Sequence, residues 1–437
     1  MASSDSLPSA SPHPSPSVTP HDPLARLSRK SPIAGLDVNG NYWIVHRLRF
    51  SGSIGDTLVK NNVGKGNNIY NRILVENSDA PFTTGENNSN VVLQNSVLRN
   101  TPLSGTGDKY CVSIGWGSGH KIVNNEVYNC QGDEILVYGS DLDSPDLVIE
   151  NNDLYVTSAM YSDGSGGMTP SGNYACSENG IDMKQGGTVN APVRVIKNRL
   201  WGFRTTDANC ADGSFGEAII FHVSQVSPND YGLIQNNIIM DGTQAIASPN
   251  GSPRYWSLIG NLVYNMSGVG SGTWAYEPKN SQSVEAYLNT FIDVAKGNSK
   301  GWIYMGADAN NDVRCNAVVD GGFMGGAVSG TSQIDYNAYY ATSDAGETHK
   351  ITKNVYTHAT FADYSEGAIM RTAAVGNCVN ATDAACFLYK AIVAGKSAGS
   401  SPTPCTTLGC THADGGVTWQ AIRGPLSGRR KLRTTTP

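Results

Sequence analysis

VNNEVYN at residues 123–129, IENNDLYV at 149–156 and QNNIIMDG at 235–242 are copies of one short pattern: a β-like run, an Asn, and an apolar residue two places later. The pattern recurs along the chain at Asn71, Asn95, Asn125, Asn152, Asn198, Asn237, Asn261, Asn289, Asn316 and Asn337. Successive members are 24, 30, 27, 46, 39, 24, 28, 27 and 21 residues apart. All ten carry an apolar or aromatic residue at the second position after the Asn, from Ile73 to Tyr339. Short strands and Asn/Gly turns repeating every 24–30 residues are the mark of a parallel β-helix, whose coils bury their inner faces only by stacking. Asn suits the repeated bend because it tolerates the left-handed region, and its amide both donates to and accepts from an Asn one coil away. The expected fold is therefore all-β: a right-handed parallel β-helix solenoid of about 10–12 coils with an Asn ladder.

Composition agrees. The 437 residues include 49 Gly and 39 Asn but only 16% charged residues, which disfavours helical bundles and coiled coils. Lys+Arg number 31 against 37 Asp+Glu, a net charge of −6, so no basic surface for nucleic acid is expected. No apolar run approaches the roughly 18 residues of a membrane span. Residues 1–36, rich in Pro and Ser, are expected to be disordered; the β-helix is expected over 37–342, and 343–437 reads as an irregular C-terminal extension. Within that extension, DAACFLYKAIVAG at 383–395 is expected to form a short helix, and the basic GRRKLR at 428–433 a solvated tail.

The nine cysteines contain no CxxC pair, which argues against a structural zinc site. Disulfides are expected, with Cys378/Cys386 and Cys405/Cys410 as small loops and Cys176 with Cys210 as a staple between two loops. Such usage favours an extracytoplasmic, secreted setting, although no signal peptide is readable at the start of the chain.

In a solenoid, chemistry lies on an outer face or beneath loops inserted between coils. The two longest spacings, 46 and 39 residues, locate such insertions after Asn152 and Asn198. Beside them a second strand repeats as GDEILVY (132–138), ENGIDMK (178–184) and FGEAIIFH (215–222). With Ile135, Ile181 and Ile219 pointing inward, the period of two places Val137, Met183 and Phe221 inward as well. Leu136, Asp182 and Ile220 then point outward, as do Tyr138, Lys184 and His222, which form one column. Asp133, Asn179 and Glu217 form another column at the strand entrance.

Lys184 is the expected base, assisted by His222 or Arg204. Asp133, Glu134, Asp182 and Glu217 are the expected oxygen ligands of a Ca²⁺. Such an ion would offset the acids and neutralise a uronate carboxylate, so that the adjacent carbon-bound proton becomes abstractable. Tyr138 and Trp201 are the expected contacts to a polysaccharide substrate. Plainer readings stand beside these: Lys184 with Asp182 as a surface ion pair, Asp133-Glu134 as turn residues, His222 as a half-exposed strand histidine, and Trp201 and Arg204 as packing at a loop base.

Over roughly 37–340 the chain resembles the right-handed parallel β-helix superfamily of pectate lyases and related polysaccharide enzymes, on its Asn-rich coils and ENGIDMKQGG. Gly180-Ile181-Asp182-Met183-Lys184 is similar to the strand carrying the lysine base of the family 9 polysaccharide lyases. That resemblance implies β-elimination from an acidic polysaccharide, with Lys184 as base and nearby acids on calcium. The chain departs from the family in lacking its compact cluster of closely spaced aspartates, for which Asp133-Glu134 is the nearest substitute. The paired-aspartate and Gly-His-Gly signatures of β-helix polygalacturonases are also missing. A glycoside hydrolase on the same fold and a non-catalytic carbohydrate-binding adhesin are the rival functions.

Overall fold

The computed structural model describes residues 35–340, apart from short stretches in loops, and strand segments between 351 and 423. The expected Pro/Ser-rich segment up to residue 34, Cys378, Cys386, Cys405, Cys410 and the basic tail lie outside the described residues. Among the described residues, three strands per coil feed three parallel sheets of 11, 11 and 12 strands. The first sheet runs from Leu36–Val38 to Met324–Gly326, the second from Ile44–His46 to Gln333–Asp335, and the third from Arg49–Ser51 to Ile351–Thr352. The chain is thus a parallel β-solenoid. Its last coil strand, Ile351–Thr352, pairs with Ala338–Tyr340.

The core is the stacked inner face of these rungs. Val127, Leu154, Leu200, Ile239, Val263, Phe291, Val318 and Tyr339, each two places after a repeated Asn, are fully buried. Beside them runs the amide ladder: Asn125, Asn152, Asn198, Asn237, Asn261, Asn289, Asn316 and Asn337. From Asn152 to Asn337, each side-chain oxygen accepts from both the backbone N and Nδ2 of the preceding rung's Asn; Asn198 Oδ1, for example, takes both bonds from Asn152 at 2.9 Å. Nδ2 also caps a strand carbonyl, as Asn198 does for Ile149 at 2.9 Å. The corner backbone is thereby satisfied away from water.

Asn71 and Asn95 do not belong to this ladder. Ser96 holds the ladder position in its rung, donating its N–H to Asn125 Oδ1 at 3.0 Å. Asn95 stands one place earlier, in an exposed column with Asn124 and Asn151 whose amides also bond from rung to rung. That column occupies positive φ, 52° at Asn95, 58° at Asn124 and 54° at Asn151. The doublet NN is therefore two residues with two tasks, a left-handed bend followed by a buried amide. A one-residue slip in reading the series confuses them, because Asn fits both.

The expected helix at 383–395 is instead the strand Phe387–Val393. Its antiparallel pairing with Val417–Arg423 and Ile369–Arg371, in a five-stranded sheet, outweighs the helix propensity of its Ala and Leu.

Asn198→Ala should destabilise the chain by about 3 kcal/mol, since it strands the Asn152 N–H and the Ile149 carbonyl in the interior. Asn124→Gly, which keeps the left-handed bend at the exposed corner, should cost under about 1 kcal/mol. Denaturant unfolding of the two variants measures the difference.

Candidate functional site

Register on the first sheet matches the strand-by-strand alignment of the sequence. Ile135 pairs with Ile181 and Ile181 with Ile219, while Leu136, Asp182 and Ile220 form the next column. Ile135, Val137, Ile181, Met183, Ile219 and Phe221 are all fully buried. The outward residues are not simply exposed, however: Leu136, Asp182 and Ile220 retain only 6%, 3% and 1% exposure. The second sheet, by contrast, alternates buried with half-exposed residues, as along Tyr231–Gln235. The second inserted segment bonds to residues just before the strands of this sheet. Gln131 Nε2 donates to the Cys210 carbonyl at 2.5 Å, and Ser214 Oγ donates to the Glu178 carbonyl at 3.5 Å.

Gly180 makes this sheet possible at the ENGIDMK rung. A Cβ there would lie 2.5 Å from the Ala218 carbonyl oxygen and 2.9 Å from the Phe203 ring.

At the edge of the covered surface three functional groups meet. Lys184 Nζ donates to Asp182 Oδ2 and lies 3.0 Å from His222 Nδ1, which is itself 3.4 Å from the same Asp182 oxygen. The side chains of Lys184 and His222 keep 38% and 29% exposure, whereas Asp182 keeps 5%. Tyr138 shares their column, but its hydroxyl donates to the Thr84 carbonyl at 3.0 Å instead of meeting Lys184.

Two other expected residues lie elsewhere. Trp201 belongs to the third sheet, where its ring stacks on Tyr155 at 4.3 Å, and Tyr155 stacks on Tyr128 at 4.7 Å. Arg204 donates to the Gly172 carbonyl and lies 3.8 Å from the Tyr161 ring centroid, so it anchors the inserted loop. Asp207 ties that loop further, accepting from Ser162 Oγ, Gly166 N and Asn209 N; these bonds outweigh burial and hold its carboxyl at about 2.

The expected Ca²⁺ ligands do not close into one set. Asp133 and Asp182 share a field: burial first, then Asp182 and Glu178, push the Asp133 carboxyl well up. Asp133 also accepts from Asn179 Nδ2 at 2.9 Å. Glu134 is fully buried with Ser177 Oγ 3.5 Å away, and burial raises its carboxyl, followed by the charge of Asp133. Glu217, at 2% exposure, turns back to accept from Phe215 N at 3.1 Å; burial pushes it to about 7, partly opposed by His222.

The carboxylates that do converge were not singled out from sequence. Oxygens of Asp108, Glu178 and Asp212 all lie within 4.8 Å of one another. Asp108 precedes Cys111, and Glu178 and Asp212 follow Cys176 and Cys210 by two residues each. Cys111–Cys130 and Cys176–Cys210 are both disulfides; the second is the staple expected from sequence. Proximity of acids to half-cystines was the available signal.

No family model and no curated protein sequence matches the chain. Among solved structures it is similar to the receptor-binding domain of the Siphovirus 9NA tailspike, with 11% identity over 84% of this chain and 83% of that one and a TM-score of 0.30. It is also similar to the A-module of the mannuronan C-5 epimerase AlgE4 of Azotobacter vinelandii, with 10% identity over 75% of this chain and 91% of that one and a TM-score of 0.27. Similarity at this level does not extend to function.

Glu217 titrates against folding. Its folded value of about 7 exceeds the ordinary 4.5, so the native state holds a proton that the unfolded chain releases. Stability from this group is complete below pH 4.5 and falls as pH rises towards 7, by roughly 3 kcal/mol in all. Glu217→Gln should therefore raise the unfolding midpoint at pH 8 and leave it nearly unchanged at pH 4, in thermal melts at the two pH values.

Proposed function

We propose that the outer face around Lys184 acts on an acidic, uronate-containing polysaccharide as a lyase, breaking the glycosidic bond by β-elimination. The observation that carries this reading is the placement of a partly exposed amine between Asp182 and His222, at the margin of a loop-covered sheet. In such a reaction Lys184 Nζ takes the proton on the carbon next to the uronate carboxylate. The C–H electron pair becomes a carbon–carbon double bond, the bond to the leaving oxygen breaks, and that oxygen gains a proton.

His222 Nδ1, 3.0 Å from Lys184 Nζ, puts a second group that can carry a proton beside the base, and it can supply the proton that the leaving oxygen gains. The acids beneath oppose a polyanion less than their number suggests, because burial and mutual repulsion keep Asp133, Glu134 and Glu178 protonated to higher pH.

The hydrolase reading needs two carboxyls flanking a sugar linkage. Asp133 and Glu217, at 1% and 2% exposure, lie beneath the surface a polymer would touch, which favours elimination. Disulfides at Cys111–Cys130 and Cys176–Cys210 support an oxidising, extracytoplasmic setting. Among the described residues no helix is long and apolar enough to cross a membrane.

A panel of acidic polysaccharides, pectate and alginate included, tests the reading. The chain should generate unsaturated products absorbing at about 235 nm from at least one, and Lys184→Ala should lower that rate by about 10²–10⁴ without altering the β-rich circular dichroism. New reducing ends without absorbance would indicate hydrolysis instead. Retention of polymer with no change in its length would indicate a binding protein.

A further inference from the structure

The structure carries a second feature that the Lys184 chemistry does not use. Asp108 and Asp212 are exposed and Glu178 is buried, and they come from three separate parts of the chain. Asp108 lies between the first-sheet strands Ala80–Thr84 and Val112–Gly115, Glu178 just before Ile181–Met183, and Asp212 within the second insertion. We propose that Asp108, Glu178 and Asp212 form a divalent-cation site for Ca²⁺, separate from the acids the sequence suggested and held in shape by the two disulfides.

Three observations carry it. First, oxygens on opposite sides of a Ca²⁺ with ligands at about 2.4 Å are about 4.8 Å apart. The three carboxylates fall within that limit of one another. All the donors are oxygen, which suits a hard cation and not zinc or copper.

Second, a buried oxygen of the cluster lacks a partner: Glu178, at 8% exposure, leaves its Oε1 without a hydrogen bond. Acceptor oxygens shielded from water are costly unless something positive completes them. The charge of Asp182 acts on Glu178, which ties these groups to one field.

Third, the platform is stapled. Cys111 stands three residues after Asp108, Cys130 three before Asp133, Cys176 two before Glu178 and Cys210 two before Asp212. Cys176–Cys210 therefore ties the segments bearing Glu178 and Asp212 to each other, and Cys111–Cys130 fixes the segment bearing Asp108. Chain segments carrying like charges separate when free; cross-links hold them together at no cost to the ion that binds. The exposed Asp108 and Asp212 leave room for water to complete the shell.

The site stands independently of the lyase reading, because its test reads binding and not catalysis. Titration calorimetry of the full chain with CaCl₂ should show one equivalent bound with a Kd of about 1 mM or tighter. The thermal midpoint should rise with added Ca²⁺. Asp212→Asn and Asp108→Asn, both at exposed positions, should each weaken binding at least tenfold. Glu285→Gln, on the second sheet, should leave it unchanged. Absence of heat and of a midpoint rise at 10 mM Ca²⁺, or binding that survives both Asp→Asn changes, would overturn the proposal.

Discussion

Everything in this molecule depends on one amide repeating itself. A coil of three short strands cannot bury its own inner face and is stable only as part of a stack. Stacking brings each corner's backbone into the interior, where its N–H and C=O need partners. The Asn ladder from Asn125 to Asn337 supplies them with the same bonds on every rung. The ladder also fixes register. A rung shifted by one residue would lose both bonds to the next Asn and turn its apolar side chains outward.

Register then does the functional work. Residues of one column sit about 4.8 Å apart on successive rungs whatever their separation in sequence. Lys184 and His222 are 38 residues apart and meet at 3.0 Å because each follows a paired strand end. Their backbone N–H groups donate to Val137 and Met183 carbonyls on the preceding rungs. Long insertions between rungs leave this spacing untouched, so loops can grow over the sheet without moving what lies beneath.

The same logic explains what was legible in the sequence. Rung count, sheet register and the inward face follow from period and alternation, which are properties of the backbone. The Lys184–His222 contact follows from register alone. Trp201 and Arg204 were misplaced because nearness in sequence to an insertion says nothing about which of three sheets a strand joins; Trp201 joined the third. Glu217 lies on the strand Glu217–Phe221 with the parity of the inward Ile219, and Asp133 has that of Ile135, so both are buried although the sequence reading grouped them as ligands on the outer face. Asp108 and Asp212 were invisible because loop residues have no register, and what brings their segments close is a set of bonds between loops, such as Gly132 N to the Lys109 carbonyl and Gln131 Nε2 to the Cys210 carbonyl.

The acids also show where the fold departs from its own rule. Elsewhere most of the interior is apolar or amide, and the buried Glu76 is paired with Arg49 and Arg99. Around the first sheet, Asp133, Glu134, Glu178 and Glu217 are buried with raised proton affinities, none of which the solenoid requires. Apolar residues there would give a more stable scaffold. The two described disulfides close loops of 19 and 34 residues over this same region, each contributing about 3–4 kcal/mol on the loop-closure account. Ordinary rungs manage without them. The cross-links thus sit where the buried charges are, on neighbouring rungs of one sheet, and their contribution offsets part of the cost of holding those charges there.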